Sequence, residues 1–410
     1  MDAVSIKYLL VGVVVFGFLF EKSLSFLNSR RNVPAIPKTL DQYLDEKKLK
    51  NAKLYQKANF NFGLISGTFS FILTILMICF GVFGWIDESL REYIENPLLL
   101  SLIYFAVIFI GSDLISIPFD YYHTFRIEEH FGFNKSNRAT FFTDKLKGYL
   151  LSIVVGGGLL ALLLWLIHQI GKDFWWQFWI LASIFMVFVN LFYTAWILPI
   201  FNKLTPLQSG ELKEKLIAYI AKVNFPLENL FVIDGSKRSS KANAFFSGFG
   251  KRKKVVLYDT LIEQHTPDEI VAVLAHEVGH YKKKHILIGM LSGVIQVGIL
   301  LFILSQFIHS QNMSMALGGS EMAIHLNIIG FTMLFSPISM ILGIFMNMIS
   351  RKHEFEADAY AKETFAGEPL AEALKTLSIN SLSNINPHPW YVFVNYSHPP
   401  LIERLKKLEG

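Results

Sequence analysis

The chain runs to 410 residues, 52% of them hydrophobic and only 17% charged, with a formal net charge of +5 from 38 basic and 33 acidic side chains. That balance is too apolar for a water-soluble enzyme, whose charged fraction sits near about a quarter, and it excludes disorder, a collagenous repeat and nucleic-acid binding as main readings. The single cysteine, Cys79, lies in an apolar run, so an internal disulfide and a cysteine zinc site are both excluded. Any metal chemistry falls to histidine and carboxylate.

A helix needs about 20 apolar residues to cross a bilayer. Seven stretches qualify, at roughly 4–26, 61–84, 98–118, 149–168, 175–199, 286–309 and 324–349. The first has no small-residue cleavage site and its apolar run up to residue 20 is followed by Glu21, so it reads as a retained span and not as a removed signal. The loops then alternate. Residues 27–60 are rich in Lys and Arg, 85–97 are acidic, 119–148 are basic again, and 310–323 carry no Lys or Arg. Positive loops stay inside, which puts the N-terminus outside and the C-terminus in the cytoplasm of a bacterial inner membrane or an endoplasmic reticulum. The chain therefore divides into an N-terminal membrane region (1–202, five spans), a polar segment (203–285), two further spans (286–349) and a C-terminal segment (350–410), with both polar segments cytoplasmic. Within the spans, Asp113 and Asn190 are polar groups of the kind that face a bundle interior or a hydrated cavity.

The first polar segment reads as a small α/β unit. A helical pattern near 209–223 precedes short β-like runs at 230–233, 244–246 and 255–258. A helix then starts at Thr266-Pro267-Asp268-Glu269, where Thr is a natural N-cap, Pro fits the first helical position and Glu can close a capping box. The basic stretch Lys251-Arg252-Lys253-Lys254 and the lysines at 282–284 read as solvated groups or contacts to anionic lipid.

That helix carries His276-Glu277-Val278-Gly279-His280. Histidines at i and i+4 share a helical face and can hold one Zn²⁺, and Glu277 is placed to take a proton from water on the metal. A catalytic zinc uses three protein ligands, so a third is expected elsewhere. The cluster His353-Glu354-Phe355-Glu356-Ala357-Asp358 follows the last span. Glu354 and Asp358 share a face, which suits Glu354 as ligand and Asp358 as the hydrogen-bond partner of a ligand histidine, His276 first. His353 competes as third ligand, and Glu356 does so more weakly.

These features together resemble the type I CAAX prenyl proteases, integral-membrane zinc endopeptidases related to the gluzincins. The resemblance is carried by the histidine motif, by Glu354-x-x-x-Asp358 within HEFEADAYA, and by KANAFFSGFG at 241–250, FRIEEHFGFN at 125–134 and NYSHPPLIERL at 395–405. It implies a bundle of seven helices around an interior chamber with the zinc protease unit on its cytoplasmic side. One Zn²⁺ per chain would be held by His276, His280 and Glu354, with Glu277 as general base. It implies that His398 stabilises the oxyanion, that Arg404 supports substrate nearby, and that Asn243 and Ala244 lie on an edge strand to which a peptide adds. The implied activity is hydrolysis of extended peptides or protein tails: C-terminal processing of prenylated proteins, or clearance of damaged membrane proteins in a bacterium. Two other readings fit parts of the chain: a transporter or membrane scaffold with a vestigial metal site, and a heat-shock-type membrane metalloprotease with fewer spans.

Overall fold

Long helices dominate because apolar runs of this length have no other way to satisfy their backbone in lipid. The structure is a computed structural model that describes residues 1–31, 38–247 and 253–410; positions 248–252, which include Lys251, Arg252 and the end of the 241–250 motif, lie outside them. Among the described residues six helices are long and apolar enough to cross a membrane: Ala3–Arg30, Glu46–Cys79, Pro97–Glu128, Arg138–Phe201, His285–Phe307 and Ile324–Thr364. The fourth merges two of the seven expected spans. Its 64 residues would stretch about 96 Å at ~1.5 Å per residue, three times the roughly 30 Å of hydrocarbon. The chain turns back within it at Gly171, whose φ of +65° opens a short 3-10 turn, Gly171–Asp173, and the arms on either side pack together. Seven crossings result.

Several spans overrun their expected limits. The second begins at Glu46, capped by the Asp45 carboxylate accepting from the Lys48 N–H at 2.6 Å, and ends at Cys79 ahead of left-handed Gly81. The last continues without a break from Ile324 to Thr364, so the acidic cluster belongs to the same rigid helix as the span. Neighbouring spans close a ring: first on second, second on the end of the third, third on fourth, fourth on fifth, fifth on sixth, sixth on seventh, and seventh on first. At most 17% of any span's most apolar window is buried within the protein.

The polar segments fold together into one unit. Its sheet has the order β1-β2-β4-β3, formed by Leu204–Pro206, Leu227–Ile233, Lys253–Tyr258 and Ala244–Ser247. Only the β2–β4 pair is parallel, and β3 is an edge strand. A single apolar core joins Leu216 and Leu257 to Ile270, Leu274 and Val278 of the Pro267–Lys282 helix, and to Ala361, Leu370 and Leu405 of the C-terminal segment. Leu40 and Leu44, from the loop after the first span, pack into the same core. The basic loop after the third span is tied to the unit by Asp144–Arg238 (2.7 Å) and Glu128–Lys241 (2.8 Å) ion pairs. Both basic loops thus lie on the same side as the sheet.

One sequence expectation changes here, and another gains detail. Lys253 is neither solvated nor at lipid: it is buried, with Nζ 3.2 Å from the centroid of Tyr281 and 4.9 Å from that of Phe225. The aromatic faces take the place of water around the ammonium. Asp113 does not stand alone in its span, since Lys145 donates to it at 3.0 Å and Tyr149 also donates to it.

Candidate metal centre

The Pro267–Lys282 helix starts as its sequence suggests. Thr266 Oγ accepts from the Glu269 N–H, and the Glu269 carboxylate accepts from the Thr266 N–H, closing the capping box. One flank of this helix lies against the far end of the Ile324–Thr364 helix. The approach is tight at Gly279, where a side-chain carbon would come within 3.0 Å of Ala357 Cα and 3.1 Å of its carbonyl. A glycine at the fourth motif position therefore lets the two helices meet one turn from the histidines.

The crossing brings His276, His280 and Glu354 into one cluster whose donor atoms all lie within 4.8 Å of one another. His276 Nε2 is 3.1 Å from His280 Nε2 and 3.5 Å from Glu354 Oε2, and His280 Nε2 is 3.2 Å from Glu354 Oε1. Tetrahedral zinc with bonds of roughly 2.0–2.1 Å needs ligand atoms about 3.3 Å apart, so the three separations suit one such ion. The donors fit a cation in a second way. Glu354 Oε2 is buried without a hydrogen-bond partner among the described residues, and an orphaned buried carboxylate oxygen is costly unless something positive completes it. Arg404 Nη1 stands 3.3 Å from it but does not hydrogen-bond it.

Behind the cluster, Asp358 Oδ1 lies 2.8 Å from His276 Nδ1. Arg404 clamps the same carboxylate twice, Nε to Oδ2 at 2.8 Å and Nη2 to Oδ1 at 2.6 Å. Burial alone would push the His276 imidazolium down, but the neighbouring carboxylates of Asp358 and Glu354 outweigh it and raise its pKa to about 9. Glu277, beside it, is pushed up mainly by burial, against the opposing pull of His276 and His280. His398 reaches the cluster from the turn before the last helix, its Nε2 3.4 Å from Glu354 Oε1 and its Nδ1 2.9 Å from Ser397 Oγ. The side chain is largely exposed, and partial desolvation by the surrounding protein moves its pKa below the usual histidine value.

Two family models divide the chain between them: one described as CAAX prenyl protease N-terminal, five membrane helices, over residues 25–203, and one for peptidase family M48 over 206–410. The chain is 34% identical to a CAAX prenyl protease 1 homolog of Oryza sativa, spanning 97% of this chain and 95% of that one. It is 31% identical to CAAX prenyl protease 1 of Saccharomyces cerevisiae over 98% and 95%. The crystal structure of S. mikatae Ste24p superposes with a TM-score of 0.93 at 30% identity, covering 99% of both chains. The chain belongs to peptidase family M48.

This M48 chain is thus a multi-pass integral-membrane metalloendopeptidase, and the transporter and scaffold readings fall away. The geometry also sorts the residues that sequence alone left open. His353 and Glu356 stay out of the metal cluster: His353 stacks on His285 with centroids 3.8 Å apart, and Glu356 Oε2 lies 2.9 Å from His285 Nε2. Arg404 is buried, its guanidinium turned onto Asp358 and Glu354. Asn243 and Ala244 stand at the outer edge of the sheet: the Asn243 carbonyl accepts from the Tyr258 N–H on β4, and the Asn243 side-chain oxygen accepts from the Ala244 N–H. Sequence reasoning passed over His285, whose Nδ1 lies 3.1 Å from His280 Nδ1. The visible signal was a third histidine five residues past the motif.

Proposed function

We propose that the chain is a zinc endopeptidase that cuts extended peptides and unstructured protein tails, C-terminal CAAX tails of prenylated proteins among them. The observation that carries this reading is the convergence of His276, His280 and Glu354 beside Glu277 at the mouth of a ring of helices. His276, His280 and Glu354 would hold the ion, with Asp358 and Arg404 fixing His276. Bound zinc supplies Lewis acidity that polarises the scissile carbonyl. Glu277, its pKa raised by burial, takes a proton from the attacking water and passes it to the leaving amine. His398, near the ligand set, donates an N–H to the developing oxyanion.

Substrate would lie along β3. The Asn243 carbonyl points inward and accepts from the Tyr258 N–H of β4, so Ala244 directs its N–H and C=O to the open edge, where an added strand finds main-chain partners. The Asn243 side chain now occupies the Ala244 N–H and would swing aside as a peptide adds. A folded domain cannot add itself as a single extended strand. The basic loops packed on the catalytic unit support a cytoplasmic site, with the N-terminus on the opposite face.

A paired assay tests this: one tightly folded substrate with an exposed flexible tail and one without, in matched detergent. The expected result is zinc-dependent cutting confined to the tail. Equal cutting inside both folded cores would overturn the proposal.

A further inference from the structure

The two histidines of the cluster are held from behind in different ways. His276 rests on a carboxylate, whereas His280 rests on another imidazole. His280 Nδ1 lies 3.1 Å from His285 Nδ1, and His285 Nε2 lies 2.9 Å from Glu356 Oε2. The rings of His285 and His353 lie face to face, 3.8 Å between centroids and 7° between planes. His285 is buried, while Glu356 is partly exposed. Helical continuation would not produce this contact, because residues five apart sit about 140° around a helix. The chain achieves it at Lys284, which takes the left-handed conformation at φ +62° and separates the two helices. A bulky non-glycine residue in that region is uncommon and must be held there by its surroundings.

We propose that His285 is a positioning residue for His280, with Glu356 setting its tautomer and His353 the plane of its ring. The inference rests on the metal-site reading above. A histidine that offers its Nε2 lone pair to a cation carries its hydrogen on Nδ1 and must donate it. The atom facing His280 Nδ1 is His285 Nδ1, which accepts only when the hydrogen of His285 sits on Nε2. Glu356 takes that hydrogen. Two donors therefore run outward in one direction, His280 to His285 and His285 to Glu356, and each ring nitrogen has one role. The sequence spacing explains why an imidazole intervenes. Glu354 and Asp358 share the face turned to His276, and Glu356 lies roughly 200° around the same helix. His285 spans the gap. The two residues that looked like rival ligands, His353 and Glu356, act on the ligand's partner instead.

The test is zinc affinity of the full-length, detergent-purified protein, measured by chelator competition with zinc alone and without substrate. His285→Leu should weaken zinc binding by roughly 10–100-fold, as for other outer partners of metal-bound histidine. His285→Gln, which can both accept from His280 and donate to Glu356, should recover most of that loss. Glu356→Gln should shift affinity in the same direction by less, and should add nothing in the His285→Leu background. Thermal unfolding in excess chelator reports the fold, and if His285→Leu fails to fold, Glu356→Gln decides by the same readout. Wild-type affinity in both His285→Leu and Glu356→Gln, or a Gln variant as weak as Leu, would overturn the inference. A wild-type chain that takes no zinc would instead sink the metal reading itself.

Discussion

The Ile324–Thr364 helix carries a histidine–aspartate–arginine clamp near each end, and the two differ in one respect that matters. At its start, His325 Nε2 lies 2.8 Å from Asp87 Oδ1, and Arg91 Nε donates to Asp87 Oδ2 at 2.8 Å. Some 50 Å along at ~1.5 Å per residue, Asp358 receives His276 at 2.8 Å and Arg404 Nε at 2.8 Å. At the first clamp the other ring nitrogen is also taken, with Ser101 Oγ 2.9 Å from His325 Nδ1. Tyr104 packs on the ring, with centroids 4.2 Å apart. That network is closed. At the second clamp the other nitrogen of His276 faces a second histidine and a carboxylate oxygen that lacks a partner. The same polar device pins helices together at one end and leaves three donors aimed at a common point at the other. A site is distinguished from a structural clamp by what is left unsatisfied.

The comparison can be broken by variants, beginning with the largest effect. Glu277→Gln should keep about one zinc per chain yet lose roughly 10²–10⁴ in peptide cleavage rate, the range for a general base; elemental analysis beside a cleavage assay checks both halves. His398→Ala should cost about 10²–10³ in rate with metal content intact, as for one lost oxyanion donor. Unchanged turnover would reduce His398 to a turn residue.

The two clamps should then respond differently to the loss of their aspartates. Asp358→Ala should weaken zinc by roughly 10–100-fold. Asp87→Ala should leave zinc affinity alone but lower stability by about 3–5 kcal/mol, the loss on breaking a buried charged pair, read by thermal unfolding in detergent. A zinc defect in the Asp87 variant would mean the two ends are coupled. The smallest effect concerns protons. Without metal His276 holds its proton up to about pH 9, and a ligand must shed it, so apparent zinc affinity should climb about tenfold per pH unit below that value and flatten above it. A flat profile between neutral pH and pH 9 would contradict the assignment of that proton.

Much of this was legible in the sequence because the signals are local. Apolar length marked the spans, and the i, i+4 spacing of His276 with His280 and of Glu354 with Asp358 named the residues that the helix crossing gathers. The capping box at Thr266 forms as written. Contacts set by the third dimension were not legible. Nothing in the last helix announced that Arg404 folds inward onto Asp358, since a lone arginine among lysines has the same sequence signature whether it is buried or solvated. Lys253 misled for the same reason, its aromatic partners Phe225 and Tyr281 lying far apart along the chain. His285 was hidden because its contact with His280 depends on the left-handed turn at Lys284 between two helices, which a lysine does not announce. The boundary between two polar segments also vanished, because residues far apart in sequence fill one core.

On the proposed reading, three donors from two crossing helices hold one catalytic zinc. X-ray absorption at the zinc edge of the Glu277→Gln protein, compared with a Glu354→Ala companion, tests it most directly. The account predicts one zinc per chain bound by two imidazole nitrogens and by oxygen, with occupancy falling when Glu354 is removed. A zinc shell without two imidazoles, or one that is unchanged by the loss of Glu354, would contradict it.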